Sequence, residues 1–165
     1  MKVKAKPRKM SQVTKEMKAK AEVYYGDEAC REKFTLLLQE KGLPNGLLTL
    51  QDIQECGYVE DTGFVWLRHK KKRDLYKFED VVISYDTEIT AYFEPNKIKH
   101  LTGVKAKEFI FWVTLTEIYV EESPSASITF KTLVGLSRSF PVSAFKVQTV
   151  DEEVKGLAKE TKEAK

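Results

Sequence analysis

The residues that could do nucleophilic chemistry are a serine in a glycine-containing motif and two histidines. Residues 135–139, GLSRS, resemble the G-x-S-x-G elbow of serine hydrolases, but the last position is Ser139 and no helical pattern follows. His69 lies in a basic run, and His100 lies in the polar segment KIKHLTG. A histidine without an orienting partner is no catalytic unit. We therefore assign no catalytic residue and expect a protein that is not an enzyme.

The sequence contains no motif for a metal or a cofactor. Cys30 and Cys56 are not at metal-ligand spacing, and no glycine-rich phosphate loop occurs. We expect both cysteines to be buried thiols in a reducing compartment. The first residues lack the apolar segment of about 7–15 residues that marks a signal peptide. No run approaches the roughly 20 apolar residues of a membrane-spanning helix. These features predict a soluble, cytoplasmic protein without cofactor or metal.

Positive charge is concentrated in two places. The chain has a net charge of +3, yet residues 1–20 alone carry eight Lys/Arg against one Glu, which is +7. Residues 68–73, RHKKKR, hold five cations that could bind an anionic group, namely Arg68, Lys70, Lys71, Lys72 and Arg73. The favoured alternative is a solvated strand end and loop that protects a sheet edge, because lysine-rich edges resist strand pairing.

The first quarter of the chain has helical spacing. Residues 1–10 should form a disordered basic tail. Within residues 11–41, a first helical face is predicted by Met10, Val13, Met17, Ala21 and Tyr24. Asp27 can cap a second helix, whose buried side would contain Cys30, Phe34, Leu37 and Leu38. Gly42 and Pro44 should end that helix.

Residues 42–150 have the pattern of an antiparallel β domain. Packing is expected for Leu47, Leu48, Leu50 and Ile53, and Asp61-Thr62-Gly63 is typical of a hairpin turn. Short strands should follow at 75–78, 81–85, 88–93 and 97–101, then at 127–132, 136–140 and 141–147. Residues 109–120 are apolar on both faces, which predicts a central strand covered on both sides. Residues 151–165 should be a polar tail.

Several segments in combination resemble the plant family called domain of unknown function 538. They are KGLPNGLL (41–48), GYVEDTGFVWL (57–67), the long segment 88–118, and FPVSAF (140–145). The match spans about residues 28–147 and is closest to short intracellular members. It implies a mainly β, roll- or barrel-like domain with an N-terminal helical extension. It also implies a link to stress responses, and either lipid binding or hydrolysis of lipid or chlorophyll esters. It supplies no catalytic residues.

Our leading functional hypothesis is a non-enzymatic protein that binds a lipid or other amphiphile in an apolar cleft of the β domain. Aromatic side chains can line such a cleft, and the candidates are Trp66, Phe93, Phe111 and Trp112. Core packing is the commoner role for each. One alternative is an interaction module that uses the N-terminal helices or the basic run, with protein favoured over nucleic acid as the partner. Another is a weak ester hydrolase that uses Ser137.

Overall fold

An antiparallel sheet in simple sequential order makes up most of the protein. The computed structural model describes residues 11, 13–47, 51–78, 81–121 and 126–145, without the side chains of residues 71–74 and 78. Two helices are present, α1 (Lys15–Lys20) and α2 (Asp27–Glu40), and a 3-10 turn spans Val142–Phe145. The strands are β1 (Glu22–Tyr25), β2 (Ile53–Val59), β3 (Phe64–Phe78), β4 (Val81–Glu94), β5 (Lys97–Glu108), β6 (Phe111–Glu121), β7 (Ser127–Thr132) and β8 (Ser137–Pro141).

Each strand pairs with its neighbours in the chain, so the predicted mainly β, antiparallel meander is confirmed. Within the described residues the two outer strands, β1 and β8, pair with no further strand. The sheet is therefore not closed by hydrogen bonds as a complete barrel would be.

The inner face of the sheet packs against α2. Phe34 of α2 meets Phe93 of β4 edge to face, with ring centroids 6.2 Å apart. The Tyr85 hydroxyl donates to the Leu47 carbonyl at 2.8 Å and so ties the sheet to the chain after α2. The predicted buried side of this helix is confirmed, because its members are each at most 3% exposed: Cys30, Phe34, Leu37 and Leu38.

The end of α2 follows the prediction made from Gly42. This residue has φ +71°, in the left-handed region that glycine enters without steric cost. The Gly42 N–H donates to the Gln39 carbonyl at 3.1 Å, and the Leu43 N–H donates to the Leu38 carbonyl at 2.8 Å. This pair of bonds is a Schellman motif. A little further on, the Gly46 N–H donates to the Phe145 carbonyl at 2.7 Å and joins the start of the sheet region to its end.

The outer face carries a second, smaller apolar cluster under α1. Val59, Phe64 and Trp66 form its buried centre, and the partly buried residues around it are Val13, Met17, Ala21, Val23 and Tyr92. An ion-pair network borders the cluster. Glu55, with its side chain only 9% exposed, binds Lys18 of α1 at 3.2 Å and Arg68 of β3 at 3.0 Å. This network attaches α1 to the sheet.

The structure corrects the predicted N-terminal helices in two respects. α1 ends at Lys20, and the residues from Glu22 to Tyr25 form β1, which pairs with β2. Val23, Tyr24 and Tyr25 are residue types that favour strands. Pairing with β2 also satisfies backbone hydrogen-bonding groups that a short helix would leave without partners. Asp27 does not cap α2, because Gly26 occupies that position. The Asp27 carboxylate instead accepts from the Ile53 N–H at 3.1 Å.

Two predicted interruptions are strand interiors. The segment RHKKKR lies within β3, and the break expected between the strands 81–85 and 88–93 lies within β4. Between the pairs Arg68–Glu88 and Arg73–Asp86, β3 advances by five residues while β4 advances by two. A bulge of this kind absorbs extra residues and bends a strand without ending it.

The expected two-sided strand at 109–120 is also wrong. Phe109 and Ile110 form the turn between β5 and β6, and they are 93% and 79% exposed. Within β6 the buried side chains are Leu115 and Ile118, and both belong to the inner core cluster. A register shift between Leu115 and Glu117 brings these two residues, three positions apart, to the same face. The expected strand at 141–147 is replaced by the 3-10 turn up to Phe145. Leu48, Leu50 and the predicted tails at 1–10 and 151–165 lie outside the described residues.

Candidate functional site

A cleft on the inner face lies at the end of the sheet where β3–β4, β5–β6 and β7–β8 are connected. These connections share one end because successive strands of a meander alternate in direction. β4, β5, β6, β7 and β8 all contribute to the wall of the cleft. Its apolar wall consists chiefly of Val81, Ile83, Ala106, Leu115, Phe130 and Phe140.

The cleft differs from the rest of the interior in being unfilled. Its volume is about 190 Å³, whereas a deeper void among Leu47, Tyr85 and Phe93 holds only about 20 Å³. Typical small-molecule sites enclose roughly 300–1,000 Å³. The cleft is therefore large enough for one apolar chain or ring, while the rest of a larger molecule would lie outside.

Polar groups stand at the mouth of the cleft. The Arg138 guanidinium lies 3.6 Å from the Glu108 carboxylate, and both side chains are partly exposed, at 41% and 33%. Exposed ion pairs contribute little to stability, about 0–1 kcal/mol. The Arg138 guanidinium also covers the Phe140 ring at 5.0 Å. Thr132 and Ser137 complete this polar edge. Because the ion pair is weak, a ligand with its own anionic group could take over Arg138 at small cost.

The structure does not bring the four aromatic candidates together. Trp66 is fully buried in the outer cluster beneath α1, and Phe93 is 2% exposed in the inner core. Phe111 is 68% exposed at the start of β6, next to the partly buried Trp112. None of the four lines the cleft. Whether any of them contacts a ligand stays a prediction.

The basic candidates are placed differently from one another. Arg68 is engaged by carboxylates, with Glu55 and Glu88 each at 3.0 Å. Lys70 is exposed, and its N–H donates to the Asp52 carbonyl at 3.2 Å. The side chains of Lys71, Lys72 and Arg73 lie outside the described part of the structure. Arg68 therefore has a structural role, and anion binding by the run stays a prediction.

The two histidines and Ser137 lie in unlike surroundings. His69 is fully buried, and its Nε2 donates to the Asp86 carbonyl at 2.5 Å. Its Nδ1 has no hydrogen-bond partner among the described residues. His100 is exposed and packs edge to face on Tyr92 at 5.7 Å. Ser137 is exposed at the cleft mouth.

The cysteines are free and buried, as predicted. Burial raises the pKa of the Cys30 thiol and, more strongly, that of Cys56. A raised pKa suppresses the thiolate, which is the reactive form. Across the described residues no cluster of three metal-ligating side chains is found. Nor does any helix in that part of the chain have the length and apolar content to cross a membrane.

Sequence reasoning missed the residues that make the cleft. Val81, Ile83 and Phe130 have the apolar alternation of ordinary strands, and nothing in that pattern marks a site. The charge pair at the mouth was also missed, because Glu108 and Arg138 are thirty positions apart in the sequence. They lie on β5 and β8, which are not neighbours in the sheet, and they meet only because the sheet is curved. One sequence signal for the cleft mouth was available. Gly135 favours a turn, and its φ of +86° in the structure lies in the β7–β8 connection just before Ser137.

Comparison with known proteins identifies a family. Residues 34–146, more than half of the chain, match the family model described as "Protein of unknown function, DUF538". No curated protein and no solved structure matches the chain. The matched range covers every wall residue of the cleft as well as the β5–β6 and β7–β8 connections beside it.

Proposed function

The chain belongs to the DUF538 family of proteins of unknown function, and we propose that it is a non-enzymatic binding protein for a lipid or other amphiphile. The apolar part of the ligand enters the cleft between β4 and β8, and its polar end stays at the mouth. The observation that carries this proposal is the unfilled space of about 190 Å³ beside an otherwise closely packed interior. Well-packed interiors leave few voids larger than a water molecule.

The chemistry of the wall supports an apolar ligand. Phe130 and Phe140 meet edge to face with centroids 5.9 Å apart, and their ring surfaces form a rigid, water-repelling side of the cleft. An acyl chain placed there gains about 0.8 kcal/mol for each methylene removed from water. At the mouth, Arg138 offers planar donors suited to a carboxylate or phosphate. A single-chain anionic amphiphile fits this arrangement.

A substitution that fills the cleft tests the proposal. Ala106 is 6% exposed and faces the cleft, so Ala106→Phe places a ring in the space that a chain would take. Dodecanoic acid is titrated into the purified protein and bound ligand is counted by native mass spectrometry. We expect the variant to bind at least about tenfold more weakly than wild type, a loss of about 1.4 kcal/mol. The matched control is Ala19→Phe, which makes the same change at an exposed position of α1.

A second variant covers the case in which the buried substitution disturbs folding. Leu136 is 60% exposed at the edge of the cleft, so Leu136→Ser should leave the fold intact and still weaken binding. Thermal melting identifies which variants are folded. Wild-type protein that never binds the acid, or a folded Ala106→Phe variant that binds it as wild type does, would refute the proposal.

The proposal also includes a stress-related role, a cytoplasmic location, and a protein partner bound through the N-terminal helices. Ester hydrolysis is the competing activity, and Ser137 at the cleft mouth is its candidate nucleophile. Loss of activity on generic esters in Ser137→Ala would favour the hydrolase over the binding protein.

A further inference from the structure

The β5–β6 and β7–β8 connections, two hairpin connections beside the cleft, expose large apolar side chains to solvent. The described residues expose nine large hydrophobic side chains, and six of these lie on the two connections. Those six are Phe109, Ile110, Phe111, Leu133, Val134 and Leu136, exposed by 60–93%. Scattered apolar residues need no explanation, but a concentration at one end of a protein marks an interaction site. We refer to these six residues as the apolar tips.

Strand pairing places the two connections side by side at one end of the sheet. β6 starts from the first connection at Phe111 and pairs with β7, which runs into the second. The Leu133 N–H donates to the Thr114 carbonyl at 2.9 Å, so the second connection lies level with Thr114. The first connection extends three residues further, which is about 10 Å at the usual rise of a strand. The tips therefore protrude from the end of the sheet.

The backbone at Phe109 gives a second, independent observation. Phe109 has φ +57°, a left-handed conformation that is an outlier for a bulky residue. Glycine or asparagine would occupy this position more easily. The side chain is also 93% exposed, so packing within the protein does not offset the strain. A phenylalanine here costs stability and gains nothing in the isolated chain.

The charge around the tips is positive. Within residues 105–117 and 131–138 there are four cations, Lys105, Lys107, Lys131 and Arg138, against two acids, Glu108 and Glu117, and Glu117 lies opposite Lys131 in the ladder. Phe109 and Val82 share one shallow depression with Lys107, Glu108 and Arg138, so two cations and one acid lie next to apolar groups there. Lys107 precedes Phe109 by two residues, about 7 Å along a strand. That offset matches the depth of about 5–10 Å to which interfacial protein segments enter a bilayer.

We propose that the apolar tips dock on an anionic phospholipid membrane. Phe109 and Ile110 insert between the lipid chains, and Lys105 and Lys107 contact the acidic headgroups. A protruding apolar point surrounded by cations suits a fluid anionic surface, whereas a protein partner would need a matching pocket. Docking does not depend on the cleft holding a ligand, although it would place the cleft mouth next to the bilayer.

Vesicle co-sedimentation tests this proposal on the full chain. The vesicles are an equal mixture of phosphatidylcholine and phosphatidylserine, with phosphatidylcholine alone for comparison. We expect Phe109→Gly with Ile110→Ser to weaken binding to the mixed vesicles at least about tenfold, because two inserted side chains are lost. The same variant should melt no lower than wild type, since Phe109→Gly removes the strained backbone. Misfolding is thereby separated from lost docking.

Two further variants sharpen the test. Lys105→Gln and Lys107→Gln should each weaken binding about fivefold, and added salt should do the same. The control is Leu36→Ser, which replaces an apolar residue that is 53% exposed on α2 and should bind as wild type does. Ala106→Phe should also dock normally, so a failure of the cleft proposal leaves this one standing.

Three results would overturn membrane docking. The first is equal binding of wild type and the Phe109, Ile110 double variant to mixed vesicles. The second is equal binding of wild type to neutral and anionic vesicles. The third is wild-type protein that sediments with neither kind of vesicle and instead self-associates, with the self-association lost when the tips are replaced. The tips would then bind a second copy of the chain.

Discussion

Replacing Gly57 with alanine should destabilise the protein severely, because the added methyl group meets the Trp66 indole. A Cβ atom built at Gly57 lies 2.1 Å from Cη2 of Trp66, well inside any normal contact. The indole is fully buried beneath α1 and packs on Phe64 with centroids 6.2 Å apart. Because the ring is fully buried, moving it away also displaces the residues packed on it. Overpacking of this kind costs about 1–3 kcal/mol, and the very short distance places this case near 3 kcal/mol.

A double-mutant cycle measured by urea unfolding checks the cause. Trp66→Leu removes the ring that the methyl group meets, and in that background Gly57→Ala should be neutral or slightly stabilising. Alanine is more favourable than glycine in a strand interior by roughly 0.5–1 kcal/mol. The coupling between the two positions should therefore exceed about 2 kcal/mol. Equal costs of Gly57→Ala in both backgrounds would refute the close contact.

Two further predictions concern ion pairs. Glu55→Ala should speed amide exchange throughout α1 and lower the free energy of unfolding by about 1–2 kcal/mol, since it removes the carboxylate that joins Lys18 to Arg68 and leaves Arg68 with Glu88 alone. Unchanged exchange would contradict the attachment role. The hydrogen bond from Lys97 lowers the pKa of Glu117 below its ordinary 4.5. A lowered carboxyl pKa contributes stability above 4.5 that is lost as the pH falls through the lowered value. Lys97→Met should flatten that acid decline in urea unfolding, and an unchanged decline would count against the pair.

The sequence predicted the elements whose causes are local. The buried side of α2 follows from spacings of three and four, and Gly42 ends the helix through a conformation that few other residues adopt. The hairpin at Asp61-Thr62-Gly63 is equally local, because its turn residues and its apolar arms lie within a dozen positions. In these places neighbouring residues alone decide the structure.

Elements that depend on distant partners were missed. β1 is a strand because its backbone forms hydrogen bonds with β2, and the residues Glu22–Tyr25 alone do not indicate that pairing. β3 continues through its basic run because it bulges there and then resumes its pairing with β4. Phe109 and Ile110 have the composition of a core strand and yet form a turn, because the pairing of Glu108 with Phe111 fixes the reversal between them. The cleft depends on the registers of β4 to β8 together, and no short sequence motif encodes such an arrangement.

The order of the strands bears on how the chain assembles during its synthesis. A meander pairs each segment with the one made just before it, so hairpins can form in turn as the polypeptide leaves the ribosome. The hydrogen bond between Gly46 and Phe145 is different, since it joins residues about one hundred positions apart. Phe145 also packs on Phe130 and Phe140, two rings of the cleft side, with centroids 5.1 Å and 6.0 Å away. Until Phe145 has been synthesised, the apolar inner face of the nascent sheet should stay exposed, and chaperones could bind to it.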